Sequence, residues 1–139
     1  MALKYLSQLH RASRQIAIWI EERLPELAAT EGHLVSYLLP YGPCPVSELV
    51  RVFGAKHSTM TSMLDRLEEK GLVERRVNPE DKRSFLVALT RKGTATAKKI
   101  GVLLQELEGL VDAEITDTDY ARFRKVVDAI EKVTAVKVR

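Results

Sequence analysis

This sequence has few of the residues that mark secreted or membrane proteins. Cys44 is the single cysteine among 139 residues, so a scaffold held by disulfides within the chain is excluded. No apolar run approaches the roughly 20 residues needed to cross a bilayer. Charged side chains follow the first residues too soon for the apolar part of a signal peptide. These absences predict a cytoplasmic protein.

Patterns of catalysis and metal binding are also missing. His10, His33 and His57 lack the clustered spacing of metal ligands. No Ser-His-Asp or Cys-His order, paired-carboxylate motif or glycine-rich phosphate loop is present. Cys44 lies in a proline-rich stretch, which favours an inert thiol over a redox sensor. The sequence therefore predicts no enzyme, no metal site and no cofactor.

The positive charge is concentrated in the middle of the chain. Residues 56–104 contain eleven basic and six acidic side chains, whereas the net charge is zero over 1–55 and −2 over 105–139. With 45% hydrophobic and 29% charged residues, the composition is that of one globular domain. The basic segment permits a polyanionic partner, although a solvated basic face explains it equally well.

Apolar spacing predicts helices in the first part of the chain. A first helix covers about residues 3–24, and a second covers 30–39 with Thr30 as its N-cap. Pro40 is expected to stop the second helix. Three prolines and a glycine then predict an irregular loop over 40–45.

The central segment predicts a winged helix. A short helix over 47–53 ends at Gly54, and a longer helix follows and ends at Gly71. Two helices joined by a short glycine-containing turn are a helix-turn-helix candidate. Residues 73–77 and 85–89 then alternate in polarity around a charged turn, which predicts a β-hairpin.

Two further helices are expected after the hairpin. Thr90 is placed to cap one that runs to about residue 113, and Thr116 to cap the last one. The last helix has a stripe of apolar residues that includes Phe123 and Val133. The predicted fold class is therefore mainly α, a winged helix-turn-helix with additional N- and C-terminal helices.

The second helix of the pair has two contrasting faces. Its inner face is apolar, and the first half of its outer face consists of small hydroxyl side chains, namely Ser58, Thr59, Thr61 and Ser62. Such side chains let a helix approach base edges and exchange hydrogen bonds with bases or phosphates. An ordinary polar surface is the equally weighted alternative.

The hairpin turn gives a sharper indication. Lys82 and Arg83 project from its tip, and an arginine there can enter a narrow minor groove, where the negative potential is strongest. Asp81 is placed to hold the Arg83 side chain, although a plain solvated charge cluster is an alternative. Arg66 on the helix flank and Arg75 on the first strand are further candidate DNA contacts.

Several spaced motifs resemble the MarR family of bacterial transcription regulators. They are Ser58-Thr59-Met60-Thr61, Leu64-Asp65-Arg66-Leu67-Glu68, Gly71-Leu72-Val73, Asn78-Pro79, Asp81, Arg83 and Leu89-Thr90-Arg91-Lys92-Gly93. The resemblance implies a homodimeric repressor of a pseudo-palindromic operator in double-stranded DNA. Its two recognition helices would lie in successive major grooves about 34–36 Å apart, and Arg83 in a minor groove.

The resemblance also implies a division of labour. Residues 30–104 would bind DNA, while 1–29 and 105–139 would interlock two copies of the chain within one chain-wide domain. A small aromatic effector would bind between these regions near Trp19, His33 and Tyr37, for which ordinary packing is the favoured alternative.

The sequence departs from the usual family pattern at Lys56, Ser62 and Asn78, which leaves the base sequence read by the protein open. Two other functions are kept as alternatives: a winged-helix protein-interaction module, and a ligand sensor without DNA binding.

Overall fold

The computed structural model describes residues 3–135. In this part of the chain, six α-helices accompany a three-stranded sheet. The elements are α1 Leu6–Arg23, α2 Ala29–Tyr41, β1 Cys44–Pro45, α3 Val46–Phe53, α4 His57–Glu69, β2 Val73–Val77, β3 Phe85–Leu89, α5 Arg91–Asp112 and α6 Asp117–Thr134. The chain divides after Gly101 into two compact units. Residues 1–2 and 136–139 of the expected dimerisation segments lie outside the described residues.

The winged helix predicted from the sequence is confirmed. Gly54 ends α3 in the left-handed conformation with φ of 61°, and Gly71 follows α4 with φ of 72°. In both places the chain turns sharply where a side chain would be strained. β2 and β3 pair antiparallel, with Val73 opposite Leu89 and Val77 opposite Phe85.

Helix α2 corrects the expectation that Pro40 ends it. The helix continues to Tyr41, and the N–H of Gly42 donates to the Leu38 carbonyl at 2.9 Å, which closes the final turn. The Tyr41 ring also packs on the Tyr37 ring, with 4.7 Å between centroids. Pro40 removes one donor, but the neighbouring bond and this ring contact maintain the last turn.

The predicted Thr30 cap is also wrong. The N-cap of α2 is Ala28, whose backbone N–H donates to the Glu31 carboxylate at 3.2 Å. The next N–H, of Ala29, donates to the Glu21 carboxylate of α1 at 2.7 Å. Two acidic side chains therefore satisfy the N–H groups of the N-cap residue and of the first residue of α2.

The stretch expected to be a loop contributes a third strand. β1, Cys44–Pro45, pairs antiparallel with Val87 and Leu86 of β3, giving the order β1-β3-β2. The loop assignment of 40–45 is therefore wrong at its first two residues, which belong to α2, and at its last two, which form β1. Proline is tolerated there because the strand lies at an edge of the sheet.

The core of the first unit lies beneath α4. The four apolar residues on its inner face are at most 8% exposed, and they are Met60, Met63, Leu64 and Leu67. Side chains from α2, α3 and the sheet also belong to this core, among them Leu34, Leu49 and Val87, each 0% exposed. Met60 and Met63 are thus core residues, and α4 is fixed by its buried face.

A close backbone crossing connects the hairpin to α5. Thr90 caps α5 by accepting the Gly93 N–H at 3.0 Å and donates its hydroxyl proton to the Gly71 carbonyl at 2.6 Å. Gly93 packs so tightly that an added Cβ would lie 1.9 Å from the Leu72 carbonyl oxygen. That position therefore requires glycine.

A buried carboxylate ties the end of α4 to the start of α2. Lys70, which follows α4, donates to both oxygens of Glu31 at 3.2 and 3.0 Å and to the Glu26 carbonyl at 2.8 Å. Glu31 is 4% exposed. Lys92 in turn donates to the Lys70 carbonyl at 2.9 Å. These bonds hold α2, α4 and the start of α5 in register.

The second unit lacks a comparable core. Thr116 caps α6 as expected, accepting the Asp119 N–H at 3.2 Å, but α6 contains no buried residue. Among residues 3–135, no helix combines the length and apolar character needed to cross a membrane.

Candidate nucleic-acid interface

The outer face of α4 presents the hydroxyl side chains that the sequence indicated. Ser58, Thr59 and Ser62 are exposed, and Thr61 is half-buried. Thr61 donates its proton to the His57 carbonyl at 3.0 Å, so its hydroxyl oxygen is left to act as an acceptor. These groups lie in the first two turns, where a recognition helix meets base edges.

Arg66 and Arg75 occupy different electrostatic environments. Arg66 is exposed on the later part of α4. Arg75 is half-buried and lies between two carboxylates of α4, 2.7 Å from Asp65 and 3.2 Å from Glu68. These two ion pairs connect β2 to α4.

The hairpin tip is built to expose Arg83. The Asp81 carboxylate accepts the Arg83 backbone N–H at 3.0 Å, and the Ser84 N–H donates to the Asp81 carbonyl at 3.0 Å. The Arg83 side chain is 97% exposed, with its Nε 3.7 Å from Asp81. Lys82 is exposed beside it. The turn is therefore held by hydrogen bonds, while its cations project into solvent.

A groove of about 480 Å³ lies between α4 and the hairpin. The start of α3 supplies part of its wall, α4 another part and the hairpin the rest. Its lining residues are Pro45, Val46, Ser47, His57, Thr61, Leu64, Arg75, Arg83, Ser84 and Phe85. The groove is continuous with the hydroxyl face of α4 on one side and with Arg83 on the other.

Sequence reasoning missed His57 and Phe85 as members of this surface. His57 is exposed at the first position of α4, with Nδ1 3.5 Å from the Thr61 hydroxyl. Phe85 lies on the same face of β3 as buried Val87. It is nevertheless 51% exposed, because the hairpin extends beyond the core. An aromatic residue beside the charged turn was the available signal.

The three expected effector residues differ in their contacts and exposure. The Trp19 ring lies 3.6 Å from the Arg23 guanidinium, and His33 is exposed. Tyr37 donates to Glu48 at 3.2 Å and packs edge-on against Phe53. The contacts of Tyr37 are those of an ordinary helix-packing residue.

Cys44 and the histidines form no recognisable chemical centre. Cys44 is 1% exposed within β1. Within residues 3–135, no three His, Cys, Asp or Glu side chains are grouped so that they could hold a metal ion.

Comparison with known proteins gives a consistent result. Residues 27–85 match the model of the MarR family. The HTH-type transcriptional regulator YwoH of Bacillus subtilis (strain 168), described as uncharacterized, is 30% identical over 120 residues. The match covers 85% of this chain and 87% of that protein.

Two solved structures with bound DNA resemble this chain. A mutant of MarR from E. coli complexed with operator DNA has a TM-score of 0.75 and 27% identity, covering 88% of this chain and 90% of that one. The S. aureus MepR–DNA complex has a TM-score of 0.82 and 16% identity, covering 97% and 100%. The second likeness concerns the fold alone.

Proposed function

Because this chain belongs to the MarR family of transcription regulators, we propose that it represses transcription by binding a pseudo-palindromic operator as a homodimer. The chain is a DNA-binding regulator of the winged-helix type. The observation that carries the proposal is the pairing of the hydroxyl face of α4 with Arg83, 97% exposed, across one groove. The family acts through binding, and we assign no catalysed reaction.

The two DNA-binding elements have different tasks. Ser58, Thr59, Thr61 and Ser62 would contact base edges and phosphates in the major groove. Arg83, with Lys82 beside it, would enter the adjacent minor groove. Arg66 would contact phosphate from the flank of α4. We assign Arg75 to positioning β2, because two carboxylates already balance its charge.

Homodimer formation is supported by exposed apolar side chains on the terminal helices. They include Leu6, Ile16 and Ile18 on α1, Leu110 and Val111 on α5, and Tyr120 and Phe123 on α6, each at least 42% exposed. Large exposed apolar patches are typical of interfaces between chains. We propose that 1–29 and 105–139 pair two copies of the chain, leaving 30–104 for DNA.

Regulation would follow from the spacing of the two recognition helices. An effector that binds better to a dimer whose spacing does not match the operator would shift the population away from the DNA-bound form. A small aromatic molecule near Trp19, His33 and Tyr37 is the proposed type of effector. The fluorescence of Trp19, whose ring lies against Arg23, offers a direct readout.

Selection of binding sites from genomic DNA tests the function and yields the operator. We expect recovered fragments to share two inverted half-sites about one helical turn apart. A protein-interaction module or a sensor without DNA binding would enrich no common sequence. Either result is decisive before any variant is made.

Replacing Arg83 with alanine tests the hairpin contact. The slope of log affinity against log salt should flatten by about 0.9 for each lost phosphate-neutralising charge, and thus by about 1.8 per dimer. Gel-shift titrations on the selected operator at several salt concentrations measure this.

Arg76→Ala is the matched control. Arg76 forms an ion pair with Glu74 and lies on the face of the hairpin opposite to the one that carries Arg75 and Phe85. A salt slope that is equal in wild type and Arg83→Ala would contradict the proposed role.

A further inference from the structure

Phe85 is one of two exposed large apolar residues on the charged hairpin, the other being Val77. Phe85 is 51% exposed, whereas Val87, two residues along the same strand, is completely buried. Phe85 lines the groove between α4 and the hairpin together with Pro45, Val46 and Leu64. About half of Phe85 therefore remains accessible in this groove.

The geometry of duplex DNA determines what passes over this groove. This step rests on the proposed function, in which α4 enters a major groove and Arg83 the adjacent minor groove. Neighbouring major and minor grooves of B-form DNA are separated by one sugar–phosphate strand. Thr61 of α4 and Arg83 of the hairpin line the same groove. The strand between the two DNA grooves must therefore lie across it.

The chemistry of the lining fits a sugar–phosphate strand. Its apolar part can pack against the carbon face of deoxyribose, and the exposed hydroxyl of Ser47 can donate to a phosphate oxygen. Arg83 adds an exposed positive charge at one side. Among the described residues that line the groove, none is acidic. No lining side chain therefore repels a polyanion.

We infer that Phe85 is a DNA-contacting residue, seating the deoxyribose of the strand that separates the major groove read by α4 from the minor groove entered by Arg83. The contact is apolar, so it contributes affinity without releasing a counterion. Salt dependence therefore separates it from the contacts made by cations.

The test compares Phe85→Ser with Arg83→Ala on the selected operator. Phe85→Ser should weaken binding about tenfold, because each dimer loses two apolar contacts, and should leave the salt slope unchanged. Arg83→Ala should flatten that slope. Phe85→Leu, which keeps an apolar side chain, should bind within about threefold of wild type on the same grounds. Circular dichroism and thermal unfolding establish that each variant is folded.

Val77→Ser is the matched control. Val77 is paired with Phe85 across the two strands, on the same face of the hairpin, and is 59% exposed. Unlike Phe85, it does not line the groove. Its replacement should change the affinity less than twofold, since it loses no proposed DNA contact.

Hydroxyl-radical footprinting examines the sugar directly, because the radical attacks exposed deoxyribose. Wild type should protect a short tract between the two grooves, and Phe85→Ser should lose protection at that tract while keeping the flanking protection. Unchanged affinity and footprint in Phe85→Ser would overturn the inference. A flattened salt slope would also overturn it, because Phe85 would then be acting through Arg83. If wild type itself selects no DNA, the proposed function fails instead.

Discussion

The two units of this chain treat their apolar residues in opposite ways. All of the buried apolar side chains in the described part of the chain lie between Ile20 and Ile100. Helix α6 contains no buried residue, and Phe123 is 51% exposed although it lies on an apolar helical stripe. Both units have well-formed, capped helices. The difference teaches that an apolar stripe predicts burial without saying which chain supplies the partner.

The comparison also separates two kinds of stability. The first unit has its own core and can be stabilised by contacts within one chain. The second unit gains little from the hydrophobic effect until another surface covers it. If that surface is a second copy, the stability of residues 102–135 should depend on protein concentration, whereas that of the winged helix should not.

Breaking the first unit should have the largest effect. Gly93→Ala places a Cβ 1.9 Å from the Leu72 carbonyl oxygen, which no side-chain movement can relieve. We expect a loss of at least about 3 kcal/mol in the free energy of unfolding, at the upper end of overpacking costs. Chemical denaturation followed by circular dichroism measures it.

Gly101→Ala is the matched control within the same helix. An added Cβ at Gly101 meets nothing within 4 Å. The change should stabilise α5 by about 0.5–1 kcal/mol, because alanine loses less conformational freedom than glycine in a helix. Equal stability of the two variants would refute the backbone clash.

Removing the last helix should break the proposed dimer and leave the core of the first unit intact. A chain truncated after Asp117 loses the apolar stripe that includes Phe123 and Val133, and the proposed dimer should dissociate because that surface is gone. Light scattering should give about two fifths of the wild-type mass, because the dimer dissociates and each chain also lacks its last 22 residues. The winged helix should still unfold cooperatively. A folded dimer of the truncated chain would contradict the proposed interface.

The smallest of these effects is expected at the junction of α2 and α4. Lys70→Met removes the cation that neutralises buried Glu31 and should cost about 1–3 kcal/mol, since Lys70 is partly exposed and the carboxylate keeps the Ala28 N–H. Thermal and denaturant unfolding report the loss.

Adding Glu31→Gln to that variant should recover part of the stability, because no buried charge is then left without a partner. The effect of Glu31→Gln on the free energy of unfolding is measured in the wild type and in Lys70→Met. If the loss is the same in both, the two side chains act independently, which would contradict the proposed neutralisation.

The sequence was sufficient for the helix-turn-helix and the hairpin because their signals are local. Gly54 and Gly71 occupy left-handed positions, and residues 73–77 and 85–89 alternate as strands do. The same holds for the exposed Arg83, which follows from a polar turn between two strands.

The remainder depends on contacts distant in sequence. The course of α2 through Pro40 relies on the Tyr37–Tyr41 ring contact, and its first turn is capped from α1 by Glu21. Strand β1 exists only because β3 lies beside it. The neutralisation of Arg75 by Asp65 and Glu68 likewise arises from packing β2 on α4. No periodicity in the sequence encodes these pairings.

The order of the strands has a consequence for behaviour at high concentration. β3 is flanked on both sides, so the sheet offers only β1 and β2 as open edges. β1 is two residues long and includes Pro45, which has no N–H to donate. β2 carries three charged side chains in succession, those of Glu74, Arg75 and Arg76. Short, charged or proline-containing edges are poor templates for adding a foreign strand, so crowded copies of this protein should resist aggregation through their sheets.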